Sequence, residues 1–177
     1  MLPVVFLDFD GPLFPRKVHL LKDNQHKLHR RPPEIDELLH PFISYWVMDP
    51  IAVAMLNNIA LITDAEFVIS SSWRELHSKK DIEQLFELNK LNVQLHEDWA
   101  TPVNELIDIT DESIVVRYAN RREEILAWIE KHPEVKKWVA IDDDVSIKIL
   151  PEKHRMLIQE DDGISYQNYR DLLNMLQ

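Results

Sequence analysis

The chain has 177 residues, 45% of them hydrophobic, with five tryptophans and no cysteine. That is enough apolar material for one sizeable core, and it excludes disulfides, thiolate metal sites and cysteine nucleophiles. With 20 basic and 31 acidic residues the net charge is −11, which argues against broad nucleic-acid binding, and no apolar run is long enough to span a membrane.

Val4 to Leu7 is an apolar run that predicts a buried strand. It ends in two carboxylates one residue apart, Asp8 and Asp10, with Gly11 directly after. Side chains alternate across a strand, so Asp8 and Asp10 point the same way from its carboxyl end, where open α/β sheets bind their ligands. Two like charges side by side are costly without a cation or proton between them. Hard oxygen ligands suit Mg²⁺, which makes the pair a candidate site for that ion. A strand ending in an Asx turn would explain the same four letters, so the reading depends on partners supplied further along.

Residues 12–33 hold a basic island: Arg16, Lys17, Lys22, Lys27, Arg30 and Arg31, with three histidines, against the single acid Asp23. The segment ends in Pro32-Pro33 and predicts a loop or short hairpin, and residues 34–46 a short helix. Together, about residues 12–48 are expected to form a small cap or flap in one domain of residues 1–177. Two roles for the island stay open, steering an acidic phosphorylated partner and pairing with the protein's own acids.

Asp49-Pro50 has the N-cap and first-turn proline of a helix running to about Ile62. Phe67 to Ile69 predicts a second buried strand, entering Ser70-Ser71-Ser72-Trp73-Arg74. Ser78 and Asp81 have capping-box spacing before a helix that stacks Ile82, Leu85 and Phe86 on one face. Asn92 to Leu95 is a third short strand, and residues 97–112 are acidic and irregular. Asn120 with Glu123 caps a further helix, whose buried stripe is Ile125, Leu126, Trp128 and Ile129 and which Pro133 ends. Trp138 to Ile141 is a fourth strand running into Asp142-Asp143-Asp144, and Arg155 to Ile158 a fifth. Ser165 opens the last helix, with Tyr169, Leu172, Leu173 and Leu176 at helical spacing. Strands alternating with helices predict an α/β Rossmann-like three-layer sandwich with a mostly parallel sheet of about five strands.

Four of these pieces, DFDGPL from Asp8, VISSSWR from Val68, RREEILAWIEKHPEVKKWVAIDDD from Arg121 and DDGISYQNYRDLLNML from Asp161, together resemble the haloacid dehalogenase (HAD) superfamily. They are most similar to its small-cap phosphatase type and to the HAD domains associated with RNA-repair proteins. The resemblance implies that Asp8 attacks phosphorus to form an aspartyl-phosphate and that Asp10 serves as general acid and then base. It implies phosphate binding by Ser70, with Ser71 and Ser72 as contributors, and by a cation for which Arg121 is favoured over Arg122, Lys79 and Lys80. It also implies a Mg²⁺ site built from Asp8, Asp10 (through its backbone carbonyl), Asp142 and Asp143, with Asp143 favoured over Asp142 as direct ligand. Pro12 departs from the family pattern, which often has Thr or Val there, and it removes a backbone donor beside Asp10.

The expected function is a Mg²⁺-dependent phosphomonoesterase acting on a phosphorylated protein, phosphotyrosine included, or on another large phosphorylated substrate. A phosphatase of nucleotides or nucleic-acid ends is the first alternative, and a catalytically weak phosphate-binding module the second. Dehalogenases of the superfamily generally lack the second aspartate present here as Asp10. No basic segment followed by an apolar one opens the chain, so a cytoplasmic location is expected, although an effector delivered into a host without a cleavable signal would read the same.

Overall fold

The computed structural model describes residues 2–21, 24, 47–103, 105–109 and 114–177. Five strands, β1 (Val4–Leu7), β2 (Glu66–Ile69), β3 (Gln94–Ala100), β6 (Trp138–Asp142) and β7 (Arg155–Leu157), form one all-parallel sheet in the order β3-β2-β1-β6-β7. This is the Rossmann-like α/β arrangement expected, with β1 at the centre.

The helices are α1 (Pro50–Thr63), the single turn α2 (Trp73–Leu76), α3 (Lys79–Asn89), α4 (Arg121–Lys131) and α5 (Tyr166–Leu176). Their starts follow the sequence signals. Asp49 accepts from the Ile51 N–H ahead of Pro50, and Ser78 with Asp81 and Asn120 with Glu123 close full capping boxes. Each cap satisfies an N–H that the helix itself leaves unpaired.

Alternation along the strands divides the core. Val5 and Leu7 of β1 face the side covered by α1, α3 and α5, together with Phe67, Ile69, Val139 and Ile141. Val4 and Phe6 face the other side, against Ile125 and Trp128 of α4, with Val68, Trp138 and Ala140. Phe6 meets both tryptophans edge-on, at centroid distances of 5.2 and 5.7 Å. Burying a side chain of this size stabilises by about 1.5–3 kcal/mol.

One segment differs from expectation. Residues 97–100 and 105–109 are not irregular, since β3 runs on to Ala100 and β4 (Glu105–Ile109) pairs antiparallel with β5 (Ile114–Tyr118) in a second sheet. The acids that suggested a loop are interleaved with β-branched residues, which suit a pleated strand. The helix expected over 34–46, and most of the cap expected over 12–48, lie outside the described residues. Within the described part, Arg16–Leu20 forms a single 3₁₀ turn.

Candidate active site

Leu7 of β1 pairs with Ile69 of β2 on one side and Ile141 of β6 on the other. The next residues along, Asp8, Ser70 and Asp142, therefore lie level at the carboxyl end of three adjacent strands. Each continues the parity of Phe6, Val68 and Ala140, so all three turn toward α4. All three are at least 95% buried.

Arg121, at the first position of α4, is the cation that meets the two carboxylates. Its Nη2 is 3.6 Å from Asp8 Oδ1, and its Nε is 2.9 Å from Asp142 Oδ2. The second contact is close but misaligned for a hydrogen bond, so both atoms keep unused polar capacity. Among the described residues Arg122 forms no ion pair, and Lys79 donates to the His96 carbonyl instead.

Arg121 is itself held from behind. Its Nη1 binds Glu124 Oε2 at 3.0 Å, one turn along α4, and the other Glu124 oxygen lies 2.8 Å from Arg74 Nη2. Arg74 also donates to the carbonyls of Ser70, Ser71 and Thr101. One buried carboxylate thus joins the serine turn after β2 to the arginine on α4. Neither Arg74 nor Glu124 was expected as part of the site. The signal available was an Arg at the end of VISSSWR and a Glu three residues after Arg121, a spacing that faces one helix side.

Ser71 favours the ionised Asp8 carboxylate, whereas the buried Ser70 Oγ has no hydrogen-bond partner among the described residues. Asp143 reaches the site past Gly11. With φ of +77°, Gly11 occupies the left-handed region, and a Cβ there would stand 2.9 Å from Asp143 Cγ. Glycine is thus required twice at this position, by conformation and by space.

Asp10 is exposed at the tip of the turn that follows β1. The Phe9 carbonyl accepts from the N–H groups of Leu13 and Phe14, so the turn does not use a donor at residue 12 and Pro12 fits without loss. The Asp10 carboxylate accepts from Trp73 Nε1 at 3.1 Å. Its side chain stands outside the carboxylate group formed by Asp8, Asp142 and Asp143, whose oxygens lie within 4.8 Å of one another.

Burial, with Asp142 alongside, pushes the Asp8 carboxyl well above the usual range, and Arg121 only partly opposes this. Burial pushes Asp142 up to about 6, again against Arg121, and raises Asp143. For Arg121 burial acts to lower the pKa, but Asp8, Asp142 and Glu124 outweigh it and the net shift is upward. Three crowded carboxylates whose ionised forms are disfavoured, with an Asp142 oxygen that makes no aligned hydrogen bond, fit a hard divalent cation.

The HAD domain in Swiss Army Knife RNA repair proteins, as a family model, matches residues 4–168. The chain belongs to this family. HAD domains are generally phosphohydrolases and typically use a divalent metal, in agreement with the acidic group at the sheet end. No curated protein and no solved structure matches the chain. Among the described residues no helix is long and apolar enough to cross a membrane.

Proposed function

We propose that this HAD domain is a Mg²⁺-dependent phosphomonoesterase that works through an aspartyl-phosphate on Asp8, with a terminal phosphate on RNA as its substrate. The observation that carries the reading is the level row of Asp8, Ser70 and Asp142 with Arg121 set against both carboxylates.

Phosphoryl transfer depends mainly on position and charge. A carboxylate oxygen of Asp8 attacks phosphorus, and the bond to the leaving oxygen breaks. Asp10 gives that oxygen its proton, then takes one from the water that hydrolyses the acyl phosphate. Arg121 offsets charge on the transferring group, and the free Ser70 hydroxyl is a donor at the same level. Asp8, Asp142 and Asp143, with the carbonyl of Asp10, would hold Mg²⁺, which when bound supplies Lewis-acid stabilisation of the phosphoryl oxygens.

The family's description, with its RNA repair proteins, supports RNA over a phosphoprotein. The net charge of −11 weighs against a nucleic-acid substrate, so the choice of RNA rests on the family's description. The basic island expected to steer a partner is partly spent internally. Arg16 pairs with Glu160 and Asp161, and Lys17 with Asp49, while Lys22 and the cations of 25–31 lie outside the described residues.

The test is hydrolysis of an aryl phosphate with and without Mg²⁺ by wild type and Asp8→Asn, followed by competition between oligoribonucleotides bearing a 5′- or 3′-phosphate and phosphotyrosine peptides. Magnesium-dependent turnover, lost in Asp8→Asn and fastest on the oligoribonucleotides, is the expected result. Faster turnover of the peptides would move the substrate to protein. Metal binding without any turnover would make the domain a phosphate-binding module.

A further inference from the structure

We infer that Trp73 is the positioning residue for Asp10, supplying the hydrogen-bond donor that fixes the acid–base carboxylate over the leaving oxygen. The inference rests on the phosphatase reading above and concerns how this chain carries it out.

Three observations converge on it. First, Asp10 sits exposed at the tip of a turn, followed by a glycine of positive φ and by a proline that has no N–H to give. An exposed aspartate has several staggered rotamers open to it, and a general acid works only from a narrow range of positions. Second, the indole Nε1 of Trp73 donates to Asp10 Oδ2 at 3.1 Å, from the turn that follows β2. Indole nitrogen is a donor only, so this contact favours one carboxylate placement and cannot invert. Third, the indole is itself held. It stacks on Phe14 with centroids 5.3 Å apart and planes within 8°, and Phe9 packs against it edge-on at 5.6 Å. Both phenylalanines are buried, and both belong to the turn that carries Asp10. The turn and the indole therefore form one aromatic block, with the N–H aimed at the carboxylate.

The chemistry gives a specific signature. A misplaced general acid harms cleavage of a poor leaving group, which needs its proton as the bond to phosphorus breaks. It hardly affects a good leaving group, which departs as an anion. Formation of the aspartyl-phosphate is read by kcat/KM, separately from its hydrolysis.

The experiment measures kcat/KM with Mg²⁺ for a series of phosphate monoesters, from 4-nitrophenyl phosphate through phenyl phosphate to alkyl phosphates. The proteins are wild type, Trp73→Phe, and a variant carrying 3-benzothienylalanine at position 73. The last keeps both rings for the stack on Phe14 and replaces only the N–H, so a loss of fold in Trp73→Phe does not decide the matter. The expected result is a fall of about 10-fold or more on alkyl phosphates, part of the roughly 10²–10⁴-fold a general acid contributes, and less than about 3-fold on 4-nitrophenyl phosphate, in both variants. An equal fall across the series would show that Trp73 is structural, and no fall would show that the indole N–H is idle. Either result overturns the inference while leaving the phosphatase reading intact. Absence of turnover in wild type across the whole series would remove the phosphatase reading and this inference with it.

Discussion

Glu124→Gln is the sharpest test of how the site is held together. The Glu124 carboxylate divides its oxygens between two guanidinium groups, at 2.8 Å from Arg74 and 3.0 Å from Arg121. The Arg74 side chain is only 2% exposed and that of Glu124 8%, so neither arginine regains water when the carboxylate is neutralised. Removing one partner of a buried ion pair costs about 3–5 kcal/mol. Glutamine keeps the shape and one acceptor, and Arg121 keeps Asp8 and Asp142, which places the expected loss at the lower end, about 3 kcal/mol. For a domain of this size that lowers Tm by about 6–12 °C. Arg16→Gln is the control, because it breaks the exposed, solvent-screened pair with Glu160 and should leave Tm nearly unchanged. Differential scanning calorimetry of both variants in the metal-free state reads the difference. A Tm loss in Glu124→Gln no larger than in Arg16→Gln would refute the argument that this carboxylate ties the serine turn to α4.

Asp8→Asn should raise, or at least hold, the thermal stability of metal-free protein at pH 8 while abolishing turnover, because it removes a buried carboxylate whose ionised form burial and Asp142 disfavour; a clear fall in Tm would contradict this. The Asp142 carboxyl, at about 6 in the fold against 3.8 unfolded, favours folding below about pH 4, and that contribution is lost as pH rises through about 6. It amounts to about 3 kcal/mol at most, so melts in chelator should show falling stability from pH 4 to 6.5. Added Mg²⁺ should reverse the loss, with a Tm gain that grows over the same range and proton release visible by calorimetry in buffers of different ionisation enthalpy. Gly11→Ala should cost about 1–3 kcal/mol from the positive φ alone and weaken Mg²⁺ binding roughly tenfold or more by displacing Asp143, measurable by titration calorimetry.

What the sequence carried most clearly was the row of strand ends. DFDG, FVISSS and VAIDDD each join an apolar run to polar residues, and alternation alone sends Asp8, Ser70 and Asp142 to one face. The choice of Arg121 over Arg122 was harder to read, since adjacent positions at a helix start differ only in direction, and direction depends on how α4 docks through Ile125 and Trp128. Glu124 was hidden for a related reason: an acid in the first turn of a helix is ordinarily a dipole partner at the surface, and only the arrival of Arg74 from another strand end makes it internal. The β4–β5 pair was lost because its acids outweighed the Leu-Ile-Asp-Ile and Ile-Val-Val alternation in which they stand. Pro12 costs the turn itself nothing. The hydrogen bonds there come from residues 13 and 14, so the proline removes nothing the turn uses.

The placement of β1 at the centre of the sheet has a consequence for the order in which function is acquired. The strand made first is flanked by β2 and by β6, and β6 comes from the last third of the chain. A nascent chain thus exposes Asp8 and Asp10 long before Arg121, Asp142 and Asp143 exist to meet them. Until α4 and β6 dock, the row has one carboxylate and one hydroxyl and lacks the Arg121 counter-charge. Chemistry in this fold is therefore the last thing to switch on. A cation shared by Asp8 and Asp142 would act as a clasp between the first strand of the sheet and one made more than a hundred residues later.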